Sequence, residues 1–454
     1  MKKTAVLNIV GLTKQLIGDS TPFLRNWIKK KNISTIKPML PAVTCSVQTT
    51  YLTGTWPNEH GIVGNGWFFK DLQEIKFWHQ SNKLVKKPFI WDKIKQNNPK
   101  FTCANMFWWY NMYSNVNYSV TPRPQYRTDG LKVPDCYSHP SSLRDQLQND
   151  LGQFPLFDFW GPKTSIKASH WIASASLKVH QWHNPDLMLI YLPHLDYVLQ
   201  KFGPKTPECE HDLKELDTVC ERLISSLEKK GINVCVLSEY GIEPVRTAIH
   251  VNKQLRELGM IKVREENGLE LLDAGASTAF AVSDHQIAHL YIKESHLITQ
   301  LKNHFMNQAG IEHVLTKDEQ KKFKINHNRS GDLVLISSKD HWFSYYYWLN
   351  DKKAPDFARS VAIHNKPGYD PVELFFDPKK KLIYPTIILK LIKKKLGFRT
   401  IMDVIPIDTS LVKGSHGQTN VAPKNHPIFV GNMNNKNELL ATDIFDLIES
   451  ELIK

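Results

Sequence analysis

Short apolar runs recur along this chain, and between them lie segments whose apolar residues return every three or four positions. That alternation limits the possible folds more than any other feature of the sequence. A run of four to six apolar residues without polar alternation reads as a strand buried on both faces, and the helices between such runs must cover it. The strands expected are Ala5–Val10, Leu187–Leu192, Val234–Ser238, Ala279–Val282, Leu333–Ile336 and Ile428–Val430. Pro185 and Asp186 lead into the second, and Gly231 leads into the third. The segment Glu210–Lys230 places Leu213, Leu216, Val219, Leu223 and Leu227 at the spacing of a helix packed on a sheet.

With 454 residues, the chain has room for anything from one large α/β domain to three small ones. A hydrophobic content of 41%, with 12 Trp, 15 Tyr and 21 Phe, excludes a disordered chain, a collagen-like repeat and a coiled coil. The 58 basic residues outnumber the 45 acidic ones by 13, a balance that suits phosphorylated metabolites, nucleic acid or a lipid surface. A merely lysine-rich composition gives the same number. The cysteines Cys45, Cys103, Cys136, Cys209, Cys220 and Cys235 are scattered and form no C-x-x-C pair, as expected in a reducing, cytoplasmic setting. The opening MKKTAVLNIVGL has a short apolar run containing Asn8 and no small-residue cleavage site, so it reads as a buried strand rather than a signal peptide. No stretch reaches the ~18 apolar residues of a membrane span, and a soluble protein is expected.

Two regions stand apart in composition. From Trp67 to Tyr113 aromatics are dense (GWFF, KFW, FIW, FWWYNMY), which reads as core or as the lining of a cleft. KKKLIYPTIILKLIKKK, Lys379–Lys395, reads as a solvated basic helix face, with Pro385 interrupting any long helix. Weak peripheral binding to an acidic membrane is the second reading.

The chemistry concentrates in PMLPAVTCSVQTTYLTGTWPNEHGIVGNGWFF, Pro38–Phe69. Hydroxyls cluster at Thr44, Ser46, Thr49, Thr50 and Thr53. A hydroxyl among the free N–H groups of a helix start favours phosphate or sulfate, and equally serves as a simple cap.

This segment resembles the nucleophile helix of type I phosphodiesterase/nucleotide pyrophosphatases, members of the alkaline phosphatase superfamily, whose pattern runs P-T-K-T-F-P-N-H-Y…L-V-T-G-x-x-P-x-x-H-G-I. The register places Thr44 at the nucleophile, with Thr53, Gly54, Pro57, His60, Gly61 and Ile62 following. FIWDKIKQNNPKFTCANMFWWYN, LKELDTVCERLISSLEKKGINVCVLSEYGI and KGSHGQTNVAPKNHPIFVGN resemble further family segments in the same order. The resemblance implies one alkaline phosphatase-like α/β domain over residues 1–454, with a central mixed sheet between helix layers and a cap inserted at about 246–360.

It also implies two divalent metals, held by a strand-one Asp, the nucleophile, a D-x-x-x-H pair, a D-H pair and a late His. Here the strand-one position is Val10, with Asn8 two residues earlier on the same face. D-x-x-x-H becomes Asp196…Gln200, D-H becomes Glu239-Tyr240, and the late His is His416. The phosphate-holding Asn expected three residues after the nucleophile is Val47, and Asn111 of FWWYNMY is the expected replacement donor. His364 is the first choice among imidazoles to complete the set, ahead of His194 and His285.

The resemblance therefore implies metal-assisted hydrolysis of a phosphodiester or related phosphoryl or phosphonate bond, with Thr44 forming a phospho-threonine. Its metal ligands would be Asp196, His416, Glu239 and Asn8, with Gln200, Tyr240 and His364 as weaker candidates. So oxygen-rich a set favours Mn²⁺ or Mg²⁺ over Zn²⁺, as one or two ions. The expected partner is a small phosphorylated or phosphonate substrate, not nucleic acid. Two alternatives stay open: a non-catalytic binding or scaffold protein whose metal site has decayed, and a phosphoryl transferase of the same fold.

Overall fold

The computed structural model describes residues 1–128, 131–433 and 436–453. Nine strands make one sheet, in the spatial order Glu438–Leu439, Asn32–Ile36, Ile428–Gly431, Asn233–Leu237, Thr4–Ile9, Leu187–Leu192, Cys103–Met106, Tyr118–Pro122 and Cys136–His139. The five strands from Asn233–Leu237 to Tyr118–Pro122 are mutually parallel, and antiparallel neighbours flank them on both sides. In Thr4–Ile9, Leu187–Leu192 and Asn233–Leu237 every residue is buried. This explains why they appear in the sequence as unbroken apolar runs.

Helices cover both faces. Pro207–Glu228 begins with the Thr206 hydroxyl accepting from the Cys209 N–H and with Pro207 in its first turn. It buries Leu213, Leu216, Val219, Cys220, Leu223 and Leu227 against the sheet. The six expected strands are all present, with ends displaced by a residue or two. Two of them, Ala279–Asp284 and Leu333–Ser337, belong to a second sheet instead. It is antiparallel, of order Ala279–Asp284, Ile287–Ile292, Leu333–Ser337 and Ile311–Thr316, and has its own core around Phe280, Leu301, Phe305 and Tyr347. A run buried on both faces reveals that two layers cover it, not which sheet it joins.

The basic segment departs from its expected form. Pro385 falls in the first turn of a continuous helix, Ile383–Lys395, where its missing N–H breaks no intrahelical bond. Lys380 and Lys390 turn to Asp403, while Tyr384, Ile388, Leu389 and Ile392 face outward. The exposed side is therefore apolar as well as basic. No helix among the described residues is long and apolar enough to cross a membrane.

Parallel strands align their carboxyl ends on one edge, and the loops leaving that edge carry the polar residues singled out above. Leu216→Ala, made in the helix that braces this edge, should cost about 2–5 kcal/mol of stability in urea unfolding.

Candidate active site

Thr44 begins the helix Thr44–Thr53, which is buried along its whole length and stops at Gly54, where φ is 65°. A side chain at Gly54 would place Cβ 3.1 Å from Phe445, so the tight exit needs glycine twice over. Thr44 Oγ1 lies 2.9 Å from the Tyr240 hydroxyl, and that hydroxyl donates to Asp196 Oδ1 at 3.3 Å. A phenol has one proton; with that proton on Asp196, Thr44 is the donor to Tyr240.

Asp196 sits in the first turn of the helix His194–Phe202, directly after the strand Leu187–Leu192. One turn on, Gln200 Nε2 donates to Asp196 Oδ2 at 2.8 Å, while Gln200 Oε1 accepts from Tyr369 at 2.8 Å. Glu239 follows the strand Asn233–Leu237, on the other side of Thr4–Ile9, and its Oε1 accepts from Asn8 Nδ2 at 2.5 Å and Gln48 Nε2 at 2.6 Å. Gln48 in turn accepts the Trp109 N–H at 2.8 Å. His416 Nδ1 donates to the Ala42 carbonyl at 2.7 Å, which leaves the Nε2 lone pair 3.7 Å from Asp196 Oδ1. The His416 ring stacks on Tyr240 at 3.6 Å.

Burial sets the proton affinities here. It raises Asp196 to about 7 despite the hydrogen bonds from Tyr240 and Gln200. It raises Glu239 to about 8, with the charge of Asp196 adding to the effect and the bonds from Gln48 and Asn8 opposing it. Burial also keeps His416 neutral, far below its ordinary value.

Asn8, Thr44, Asp196, Gln200, Glu239, Tyr240 and His416 are thus brought together. Two expectations change. Asn111 is buried and donates to the Val120 carbonyl at 2.9 Å, so it clamps the loop rather than replacing an amide at the nucleophile. His364 borders the cleft, but its Nδ1 faces the Phe77 carbonyl at 3.3 Å. The imidazole beside His416 is His285, with ring centres 3.9 Å apart and its Nδ1 on Asp284 at 2.8 Å. Val47 lies fully in the core. The amides near the nucleophile are Gln48 and Asn65; Asn65 accepts from the Cys45 N–H at 3.0 Å and holds Asp284 through two further bonds. Gln48 could have been found by its position one turn after Thr44 on the same helix face.

The atoms left without donors test whether these residues suit a divalent ion. Asn8 Oδ1, Glu239 Oε2 and His416 Nε2 are buried without a hydrogen-bond partner. Among the described residues, neither Asp196 nor Glu239 is paired with a lysine or arginine. Two buried carboxylates beside vacant acceptors fit a cation. They do not fit the family's two-ion set, because Gln200 and Tyr240 turn hydrogen-bond donors toward Asp196. A further group capable of holding an ion lies elsewhere. Ligand atoms of His194, Asp212 and Glu215 fall within 4.8 Å of one another, and His194 is already 3.1 Å from Asp212.

The family model for type I phosphodiesterase/nucleotide pyrophosphatase matches residues 4–370. The chain belongs to that family. It is 29% identical over 218 residues to an uncharacterized pyrophosphatase/phosphodiesterase of Schizosaccharomyces pombe, a match covering 46% of this chain and 37% of that protein. It is 25% identical over 272 residues to ectonucleotide pyrophosphatase/phosphodiesterase 1 of Saccharomyces cerevisiae, covering 53% of this chain and 34% of the relative. The matched stretch thus spans little more than a third of either curated relative. An inactive variant of murine ectonucleotide pyrophosphatase/phosphodiesterase 5 in complex with AMP superposes with a TM-score of 0.60 at 14% identity, covering 100% of this chain and 95% of that one. Phosphonoacetate hydrolase of Sinorhizobium meliloti 1021 in complex with phosphonoformate gives 0.62 at 15% identity, with coverages of 99% and 96%. The fold is alkaline phosphatase-like.

Thr44, Asp196 and Tyr240 line a cleft of about 1890 Å³ whose walls include Trp78, Trp109 and Trp160. Two predictions follow from this geometry. Asn111→Ala should lower stability by about 0.5–1.5 kcal/mol in urea unfolding, because it removes a buried amide bond from the Val120 carbonyl, which keeps the Phe107 N–H, while kcat/KM stays unchanged. The second prediction concerns pH. Folding raises Asp196 and Glu239 above their ordinary values of 3.8 and 4.5, so their protonated forms stabilise the fold. That contribution is complete below the ordinary values and is lost as pH rises through about 7 and about 8. Calorimetry of cation-free protein should show Tm falling over this range, and Mn²⁺ should raise Tm more at its alkaline end than at its acid end.

Proposed function

We propose that the protein hydrolyses a phosphodiester, or a related phosphoryl or phosphonate bond, with Thr44 as the nucleophile. The observation that carries this reading is the hydrogen-bond line from Thr44 through Tyr240 to Asp196. It offers the Thr44 proton a defined destination, the Oδ1 of a buried carboxylate that the Tyr240 hydroxyl already faces. Thr44 Oγ1 attacks phosphorus, its proton passes to the Tyr240 oxygen, and the Tyr240 proton passes to Asp196 Oδ1. The leaving alkoxide departs and takes a proton from solvent. Water then displaces the phosphoryl group from Thr44, its protons leaving with the released phosphate, while Asp196 returns its proton through Tyr240 to Thr44 Oγ1.

Asp196 and His416 would hold a divalent ion, with Asn8 and Glu239 supplying oxygen nearby. Such an ion supplies Lewis-acid charge to the phosphoryl oxygens. Mn²⁺ or Mg²⁺ suits these oxygen donors better than Zn²⁺, since the two lost imidazoles are Gln200 and Tyr240. The aromatic walls of the cleft suit a substrate larger than a bare phosphate. The AMP and phosphonoformate held by the two structural neighbours supply the chemical range to test. Residues 246–360, which contribute His285 and Asp356 to the cleft, act as its cap.

The test is a bis-p-nitrophenyl phosphate assay across Mn²⁺, Mg²⁺ and Zn²⁺ after EDTA treatment. Thr44→Ala should lower kcat by roughly 10³-fold or more. Tyr240→Phe should lower it by roughly 10²-fold and flatten the acid limb of the pH profile, where Asp196 takes up its proton. Full activity in Thr44→Ala, or no turnover with any ion, overturns the reading. Gln200→His combined with Tyr240→His should raise zinc retained after dialysis, read by metal analysis.

A further inference from the structure

Among the described residues, 21 large apolar side chains stand exposed, and nine of them fall between Leu382 and Ile401. The helix Ile383–Lys395 lies along the protein on one side only, where Ile383 and Ile387 meet Val404 and Ile405. On the opposite side Tyr384, Ile388 and Ile392, at i, i+4 and i+8, are 61%, 57% and 50% exposed. Leu389 and Leu396 widen that face, and Phe398 and Ile401 continue it past the helix end. A helix meant for water carries polar residues outward. This one carries apolar residues there, and no described residue buries them; Tyr384 meets only the edge of the Phe376 ring.

The charges identify the occupant. No acidic residue lies between Asp377 and Asp403, while eight lysines and arginines do. Lys380 and Lys390 are taken up by Asp403; Lys381, Lys393, Lys395 and Arg399 are exposed and, among the described residues, form no ion pair. A second copy of the chain packed here would set one cationic rim against another. An anionic lipid surface offers apolar depth and negative charge together, the two terms that hold a helix in the interfacial plane. The same helix borders the cleft: Leu391 and Lys394, with Ile401 and Met402 beyond it, line the cavity that contains Thr44 and Asp196.

We propose that residues 382–401 dock the protein on an anionic membrane surface, which brings the mouth of the cleft to the lipid headgroups. The consequence that the substrate phosphodiester is then carried by a lipid rests on the proposed hydrolase function; the docking itself does not.

The test is co-sedimentation of the full chain with phosphatidylcholine vesicles, with and without phosphatidylserine. Binding is expected to need phosphatidylserine and to weaken as salt rises. Ile388→Asn combined with Ile392→Asn, and Lys393→Glu combined with Lys395→Glu, should each weaken it at least tenfold, since a single surface lysine is worth roughly fivefold. All four positions are exposed and lie outside the cleft lining, so circular dichroism and turnover of a soluble diester should match the parent. Thr44→Ala should bind vesicles like the parent. If it does and lipid-borne diesters remain intact with the parent protein, docking stands and a lipid-borne substrate is excluded; the hydrolase reading fails only if the soluble diester is left intact as well. Equal sedimentation of the variants, or no vesicle binding at all, overturns the proposal. A dimer that the Ile388/Ile392 change dissolves would make a second copy the occupant instead.

Discussion

Among the described residues, Asp196 and Glu239 are buried with no lysine or arginine against either, and the arrangement of the site follows from that constraint. A carboxylate removed from water must take a proton, a cation or several hydrogen bonds. Asp196 takes two hydrogen bonds, from Tyr240 and Gln200, and Glu239 takes two amide bonds, from Asn8 and Gln48. Those donors come from the first strand, the nucleophile helix, the helix after Leu187–Leu192 and the loop after Asn233–Leu237. Each bond also fixes one element against another. The carboxylates therefore set the spacing of the sheet edge as well as its chemistry.

The scaffold that makes this possible is apolar. Strands such as Leu187–Leu192, buried on both faces, cannot shift register without exposing part of the core. Their carboxyl ends are thereby held in fixed relation, although Asn8, Asp196 and Glu239 are far apart in the chain. Burial that stabilises the sheet is also what raises the proton affinity of the carboxyls at its edge. Stability and reactivity share a cause here.

That division decides what could be read in advance. The six apolar runs were legible because burial on both faces leaves an unmistakable composition, whereas Thr44 was singled out by the register of the family resemblance, since hydroxyls at a helix start serve equally as caps. Assignment of Ala279–Asp284 to a second sheet was not legible, since pairing partners leave no trace in a fully buried run. Asn111 was misjudged for a related reason. An amide has two ends and no directional signature in sequence, and here it serves the Val120 carbonyl. His285 was passed over for His364 because proximity to His416 arises from a hairpin turn within the second sheet, between Ala279–Asp284 and Ile287–Ile292, a contact made across more than a hundred residues.

The substitutions relative to the family also form a coupled set rather than a list of losses. Glu239 is one methylene, about 1.5 Å, longer than the Asp it replaces, and its carboxylate bridges Asn8 of the first strand and Gln48 of the nucleophile helix. Gln48 is anchored in turn by the Trp109 N–H. Tyr240 bridges Thr44 and Asp196, and Gln200 is fixed on its far side by Tyr369. A site drifting without selection would leave orphaned donors at these positions, because each costs about 1–3 kcal/mol when unpaired and nothing would align the replacements. Instead the side-chain N–H and O–H donors of Asn8, Gln48, Gln200 and Tyr240 meet carboxylate oxygens. Residues in such a network are strongly non-additive. Reverting one position toward the family pattern removes a bond that its neighbours depend on, so the altered set must be changed together to recover a different chemistry.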